Sequence, residues 1–168
     1  TIATILICLV FLSGIIISIA AQSGQWIEKA DTPEVGGYGE ALVGVDNYIY
    51  LARCMDASSI PAFWRYDPLT NKWDFMNNST LPIGAFRNGA ALAWDHNNYI
   101  YALLGGRYSD SNRTLFYRYS ISNNTWERLI DTPHAQGAGD ALTYSGYDNQ
   151  FYAILGSKEH GTTFACYN

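Results

Sequence analysis

Histidines, cysteines, loop carboxylates and the Gly105-Gly106 pair are the residues of this chain whose types invite a chemical reading. His96, His134 and His160 show no HxH or HExxH spacing and the cysteines no CxxC, whereas a metal site needs ligands that converge to about 2 Å from the ion. The histidines therefore read as solvent-exposed loop residues. Glu34, Asp56, Asp110 and Glu159 also fall on loops, where an acid and a base would have to converge on one substrate to do general acid–base work. Solvated carboxylates are the plainer reading. Gly105-Gly106 invites comparison with a phosphate cradle, but neither GxGxxG nor GxxxxGK[ST] surrounds it and no helix pattern follows. It reads as a turn of positive φ or a close approach that excludes a Cβ.

What positions these residues is an internal repeat. Gly39, Gly89 and Gly139 are spaced by 50 and 50, and each precedes an Ala-Leu pair at 41-42, 91-92 and 141-142. Asn47, Asn98 and Asn149 recur at 51 and 51, as do Tyr50, Tyr101 and Tyr152. "FWRYDPLTNKW" (63–73) matches "FYRYSISNNTW" (116–126), and "FACYN" (164–168) begins a third copy. Trp26, Trp73 and Trp126 each come shortly before a proline, Pro33, Pro82 or Pro133.

Each unit reads as four short strands: a small-residue strand such as "RNGAALAW", a large–small alternating strand such as "NYIYALL", then "FYRY", then "TWERLI". Asp46-Asn47, "DHNN" (95–98) and "YDN" (147–149) supply hairpin turns between the first two strands, where Asn and Asp tolerate positive φ, and "DPLTN" and "SISNN" do so between the third and fourth. Four antiparallel strands at a 40 to 50 residue period predict an all-β fold of propeller blades, here approximately 37–76, 87–129 and 137–168. Small residues suit the innermost strands, which crowd the axis, and aromatics fill the widening gap further out.

The chain resembles the kelch-repeat propellers of the galactose oxidase/kelch-like superfamily. Their pattern is a diglycine ending the second strand, a Tyr on the third, and a Trp about seven residues on. Unit two carries all of it in Gly105, Gly106, Tyr119 and Trp126; unit one has Tyr66 and Trp73 but Cys54-Met55 for the diglycine; unit three has Gly156-Ser157 and Tyr167. The resemblance implies a kelch-type β-propeller of which residues 22–168 hold about three blades of a larger ring. It also implies that "QWIEKA" (25–30) is an outer strand latching the last blade. Arg87, where kelch repeats often place Arg, would then point to the axial opening beside Arg107, a pair able to bind carboxylates or anionic sugars, with intra-blade hydrogen bonding as the structural alternative. Cys166-Tyr167 is similar in composition to the site of the copper-radical oxidases built on this fold, but adjacent strand residues point to opposite faces and do not reproduce it. Cofactors are not implied.

Residues 2–21, "IATILICLVFLSGIIISIAA", are uncharged and apolar. They read as an N-terminal hydrophobic helix, either a signal peptide cut after Ser18-Ile19-Ala20 or a membrane anchor, since about 20 apolar residues span a bilayer. The start at Thr1 and the stop in mid-blade read as a fragment of a protein with six or seven blades. Both readings of the leader export the rest to the cell surface or beyond, with membrane contact only through 2–21. Cys54 and Cys166, in strands of non-adjacent units, are expected to be unpaired small hydrophobes.

At 48% hydrophobic, 15% aromatic and 15% charged residues, the chain has apolar material for a sizeable core. Its net charge of −5, with no Lys/Arg cluster, disfavours nucleic acid. Asn77, Asn78, Asn112 and Asn123 satisfy N-x-[ST] and are glycosylation candidates. The expected function is an exported kelch-repeat binding module presenting loops 30–38, 77–87, 106–114 and 156–163 to a glycan or protein partner. The alternatives are a carbohydrate-active oxidase, epimerase or sialidase-like enzyme with catalytic residues in further blades, and an envelope or surface-layer component.

Overall fold

A computed structural model of the chain describes residues 24–33, 37, 39–53, 60–106, 114–157 and 161–168. The apolar leader, with its expected helix and cleavage site, lies outside them, as do Cys54, Arg107, Asn112 and the carboxylates Glu34, Asp56, Asp110 and Glu159. Among the described residues there is no helix, and so none long and apolar enough to cross a membrane.

The chain is all-β. A first sheet takes β1 (Ala41–Val45), β2 (Tyr48–Arg53), β3 (Ala62–Asp67) and β4 (Lys72–Phe75) in sequence order. A second repeats this with β5 (Ala91–Trp94), β6 (Tyr99–Leu103), β7 (Phe116–Ser120) and β8 (Thr125–Arg128). The third has three strands, β9 (Ala141–Ser145), β10 (Gln150–Ser157) and β11 (Gly161–Tyr167). All pairings are antiparallel.

Local chemistry sets the hairpins. Asp46, His96 and Asn149 take positive φ of 50°, 58° and 60° between the first two strands of each sheet, and Asn71 and Asn124 take 56° and 53° between the third and fourth. Short polar side chains adopt this region at the least cost after glycine. Each outer turn is then reused: the Tyr66 hydroxyl donates to Asn71 Oδ1 at 2.6 Å, and Tyr119 to Asn124 Oδ1 at 2.7 Å. Asn71 Oδ1 also accepts the Ala30 N–H, and Asn124 Oδ1 the Asn77 N–H, both at 2.9 Å. The repeated Tyr and Asn thus tie the strand pair to the segment that enters the sheet. Burial pushes the Tyr119 phenol well above its ordinary pKa, so it stays a donor.

The Arg of "FWRY" and "FYRY" is explained by its cross-strand neighbours. Arg65 pairs with Asp74 at 2.9 Å and lies 4.5 Å over the Tyr48 ring; Arg118 pairs with Glu127 at 2.8 Å and lies 4.4 Å over Tyr99. These pairs sit at the surface and are worth no more than about 1 kcal/mol each.

Sheets stack through two apolar layers. Between the first and second sheets, Phe63 meets both Tyr119 and Trp126 at 4.8 Å, and Phe86 backs Trp126 at 5.7 Å. Between the second and third, Phe116 meets Tyr167 at 5.0 Å and Tyr101 meets Phe151 at 3.9 Å. Strand alternation assigns the faces: Ala41 and Val45 turn into the first layer, whereas Leu42 and Gly44 turn away from it.

"QWIEKA" forms no strand; residues 24–30 are irregular and Trp26 is fully exposed. A lone segment has no ladder to join, because strand structure requires a hydrogen-bonded neighbour. Among the described residues its end is held, by Ala30 on Asn71 and by Trp73 Nε1 donating to the Ala30 carbonyl at 3.1 Å.

Candidate binding face at the ends of the inner strands

Because successive strands alternate in direction, the connections β2–β3, β4–β5, β6–β7 and β8–β9 leave from one end of the sheets. The diglycine stands at this end. Gly105 has φ +67°, and a Cβ there would lie 2.5 Å from the carbonyl oxygens of both Arg87 and Asn88. The Gly106 N–H donates to Asn88 O at 3.0 Å, and the Arg87 N–H to Leu104 O at 2.7 Å. The pair of glycines lets the incoming segment 87–90 lie against the end of β6.

Gly105 does not offer its N–H to a ligand. Gln136, fully buried, accepts that N–H through Oε1 at 2.8 Å and donates from Nε2 to Leu115 O at 2.9 Å and Thr132 Oγ1 at 3.3 Å. One amide from the β8–β9 connection thus bridges the ends of β6 and β7. In the third sheet a carboxylate does related work: Asp140 accepts the Gly156 N–H at 2.6 Å and the Gly137 N–H at 2.8 Å. In the first, Glu40 accepts the Gly37 N–H at 3.2 Å and pairs with Arg53 at 3.3 Å.

Arg53 is the charged residue that the sequence reading passed over. It occupies the position of Leu104 and Leu155 in the sister sheets, yet its side chain is only 1% exposed and donates from Nη1 to Thr32 Oγ1 at 2.9 Å. Its signal was available, as an Arg closing the "YIYLA" strand where the other copies have Leu. Glu40 and Asp140 likewise follow the repeated Gly39 and Gly139. Arg87 is 4% exposed and packed under the diglycine rather than standing free on the surface.

Glycines of the 50-residue series mark where backbone segments crowd together. A Cβ on Gly39 would lie 2.2 Å from Phe86 O, and one on Gly89 would lie 1.7 Å from Gly137 O. Each thus touches the backbone entering the next sheet. Gly139, with φ +95°, meets nothing within 4 Å.

No group of three or more His, Cys, Asp or Glu that could hold a metal occurs among the described residues. His96 stacks between Trp94 at 4.6 Å and Tyr144 at 5.8 Å in the inner turn, while His134 is exposed on the β8–β9 connection. Cys166 is a free, exposed thiol. A cleft of about 140 Å³ opens beside it, lined by Leu103, Phe116, Ile130, Pro133, Phe151 and Tyr167 among others.

The sequons differ in availability. Asn77 uses its amide nitrogen on Asn124 O at 3.0 Å, and Asn78 donates to the Pro61 carbonyl. Asn123 is exposed in the β7–β8 turn. Compared with known proteins, the chain matches no protein-family model and no curated protein.

Proposed function

We propose that the three sheets are blades of a kelch-type β-propeller, and that the chain is an exported binding module taking a glycan or protein partner on the face formed by segments 30–38, 77–87, 106–114 and 156–163. The observation that carries this reading is the division of labour at that end of the sheets. Diglycine, Gln136, Asp140 and Arg53 are absorbed in fixing the inner strand ends, which leaves recognition to the connections beyond them. Of the expected anion pair, Arg107 is the candidate contact of that face, whereas Arg87, 4% exposed, is enclosed beneath it. Among the described sequons, Asn123 has the most accessible position, and it lies on the β7–β8 turn at the opposite end of the strands.

A glycan array and a cell-surface proximity-labelling experiment on the exported protein test the reading together. Saturable capture that is lost on Ile83→Asp, at a 64% exposed position of segment 77–87, supports it. Silence in both assays would refute a binding role.

A further inference from the structure

The connection that enters the second sheet carries a reactive pair, Asn88-Gly89, the one Asn-Gly dipeptide of the sequence. A glycine nitrogen has no side chain beside it to block its approach to the amide carbon of the preceding asparagine. When it attacks, base removes the Gly89 amide proton, a C–N bond forms between Gly89 N and Asn88 Cγ, and the side-chain nitrogen leaves as ammonia. Water then opens the five-membered imide at either carbonyl and gives aspartate or isoaspartate, the latter with one extra carbon in the main chain.

The fold holds this pair in a shape that forbids the ring. The Ala90 N–H donates to Arg87 O at 2.8 Å and Gly89 has φ +81°, which together define a type II turn over 87–90. Ring closure needs Gly89 N on the same side of the Asn88 Cα–C bond as Cβ, and the type II ψ of about +120° at the second residue turns it away. Flipping the peptide between them would break the bond that the Asn88 carbonyl accepts from the Gly106 N–H at 3.0 Å. The turn is also hemmed in from the third sheet, since a Cβ on Gly89 would lie 1.7 Å from Gly137 O.

Asn88 Oδ1 is buried and accepts no hydrogen bond among the described residues, so a carboxylate made there would be desolvated. The sister turn of the third sheet has the same build, with the Asp140 N–H on Gly137 O at 3.2 Å and Gly139 at φ +95°. Its glycine follows Ala138, and Gly39 in the first unit follows Tyr38, so neither has an amide to attack. Among the three entry turns this chemistry belongs to the middle one.

We propose that Asn88 is a deamidation site gated by its turn: closed in the folded protein, open when 87–90 detaches from the end of β6, and irreversible in effect. Isoaspartate cannot rebuild a turn whose Ala90–Arg87 bond and Gly106 contact depend on main-chain spacing. Neither the propeller reading nor the binding role enters into it.

The full chain, kept in detergent to accommodate residues 2–21, is held in mildly alkaline buffer, either folded or in concentrated urea, and mass-spectrometric peptide mapping follows conversion at each asparagine. In urea Asn88 should convert faster than any other asparagine. Folded, its rate should fall at least about tenfold, because conversion then tracks the small population of opened turn. Gly105→Ala, whose Cβ would press on the Arg87 and Asn88 oxygens, and Gln136→Ala, which releases the Gly105 N–H, should each raise the folded rate severalfold, whereas Leu69→Ala on the distant β3–β4 turn should not. If the Gly105 variant does not fold, the Gln136 variant carries the comparison. Chains converted in urea and returned to buffer should concentrate isoaspartate at position 88 in the protease-sensitive fraction. Equal rates in folded and unfolded chains overturn the proposal, as does a faster asparagine elsewhere in urea. So does a folded rate indifferent to the loosening variants, or isoaspartate spread evenly between native and protease-sensitive fractions.

Discussion

The two interfaces between sheets are built from the same repeat and finished differently. In the first, the fourth strand of the second sheet brings Trp126 onto Phe63 and Phe86, and the aromatic layer is closed. In the second, Phe116 meets Tyr167, Gln136 lies in the connection that carries Phe86 in the first, and among the described residues a cleft lies beside the rings. The comparison teaches that the third strand aligns neighbouring sheets in both, and that in the first the indole of Trp126 on the fourth strand closes the layer.

The largest expected effect follows from that seal. Phe63→Ala should cost about 4 kcal/mol and Phe116→Ala about 3, because deleting a ring from a closed layer leaves a cavity, while Phe116 already borders one. Urea denaturation of both variants measures the difference, and a larger loss at Phe116 would break the comparison. Next, Gly39→Ala should cost about 3 kcal/mol through collision with the Phe86 carbonyl, against about 1–2 kcal/mol for Gly139→Ala, where only the positive φ resists. The two melting temperatures report it.

Gln136→Ala should cost about 2 kcal/mol by leaving the Gly105 N–H and Leu115 carbonyl without their partner. Its signature is local: amide exchange at Gly105 should quicken while that at Met76, bonded to Phe63 O, stays slow. The smallest effect is electrostatic. Hydrogen bonding from Arg128, with help from Thr114, holds Asp131 below the usual carboxylate range, and so stability it contributes is present above about pH 4 and lost as pH falls through its lowered pKa. Exchange at Thr132, which bonds Thr114 O, should therefore rise in acid before exchange at Met76 does.

Strand positions and hairpin turns were legible in the sequence because they are local. Alternation fixes which residues share a face, and Asp, Asn and His at Asp46, Asn71, His96, Asn124 and Asn149 mark the positive-φ corners. The Phe86 corner, with φ 63° in a fully buried residue, was not legible, since no bulky residue enters that region by preference and only its packing against Trp126 explains it. Arg53 was missed for a related reason. Its pattern position marks it as buried, but the Glu40 and Thr32 partners that make burial tolerable lie 13 and 21 residues away.

By itself, then, the sequence determined the all-β architecture, the repeat and the crowding that demands glycine at 39, 89 and 105. Those follow from side-chain volume and backbone preference, which each short segment carries alone. Only the tertiary structure decided that Gln136 occupies the Gly105 N–H, that residues 24–30 stay unladdered, and that Phe164 and Trp26 face solvent. Each of those depends on which partner arrives from elsewhere in the chain, and a hydrogen bond or a packed ring exists only when both halves are in place.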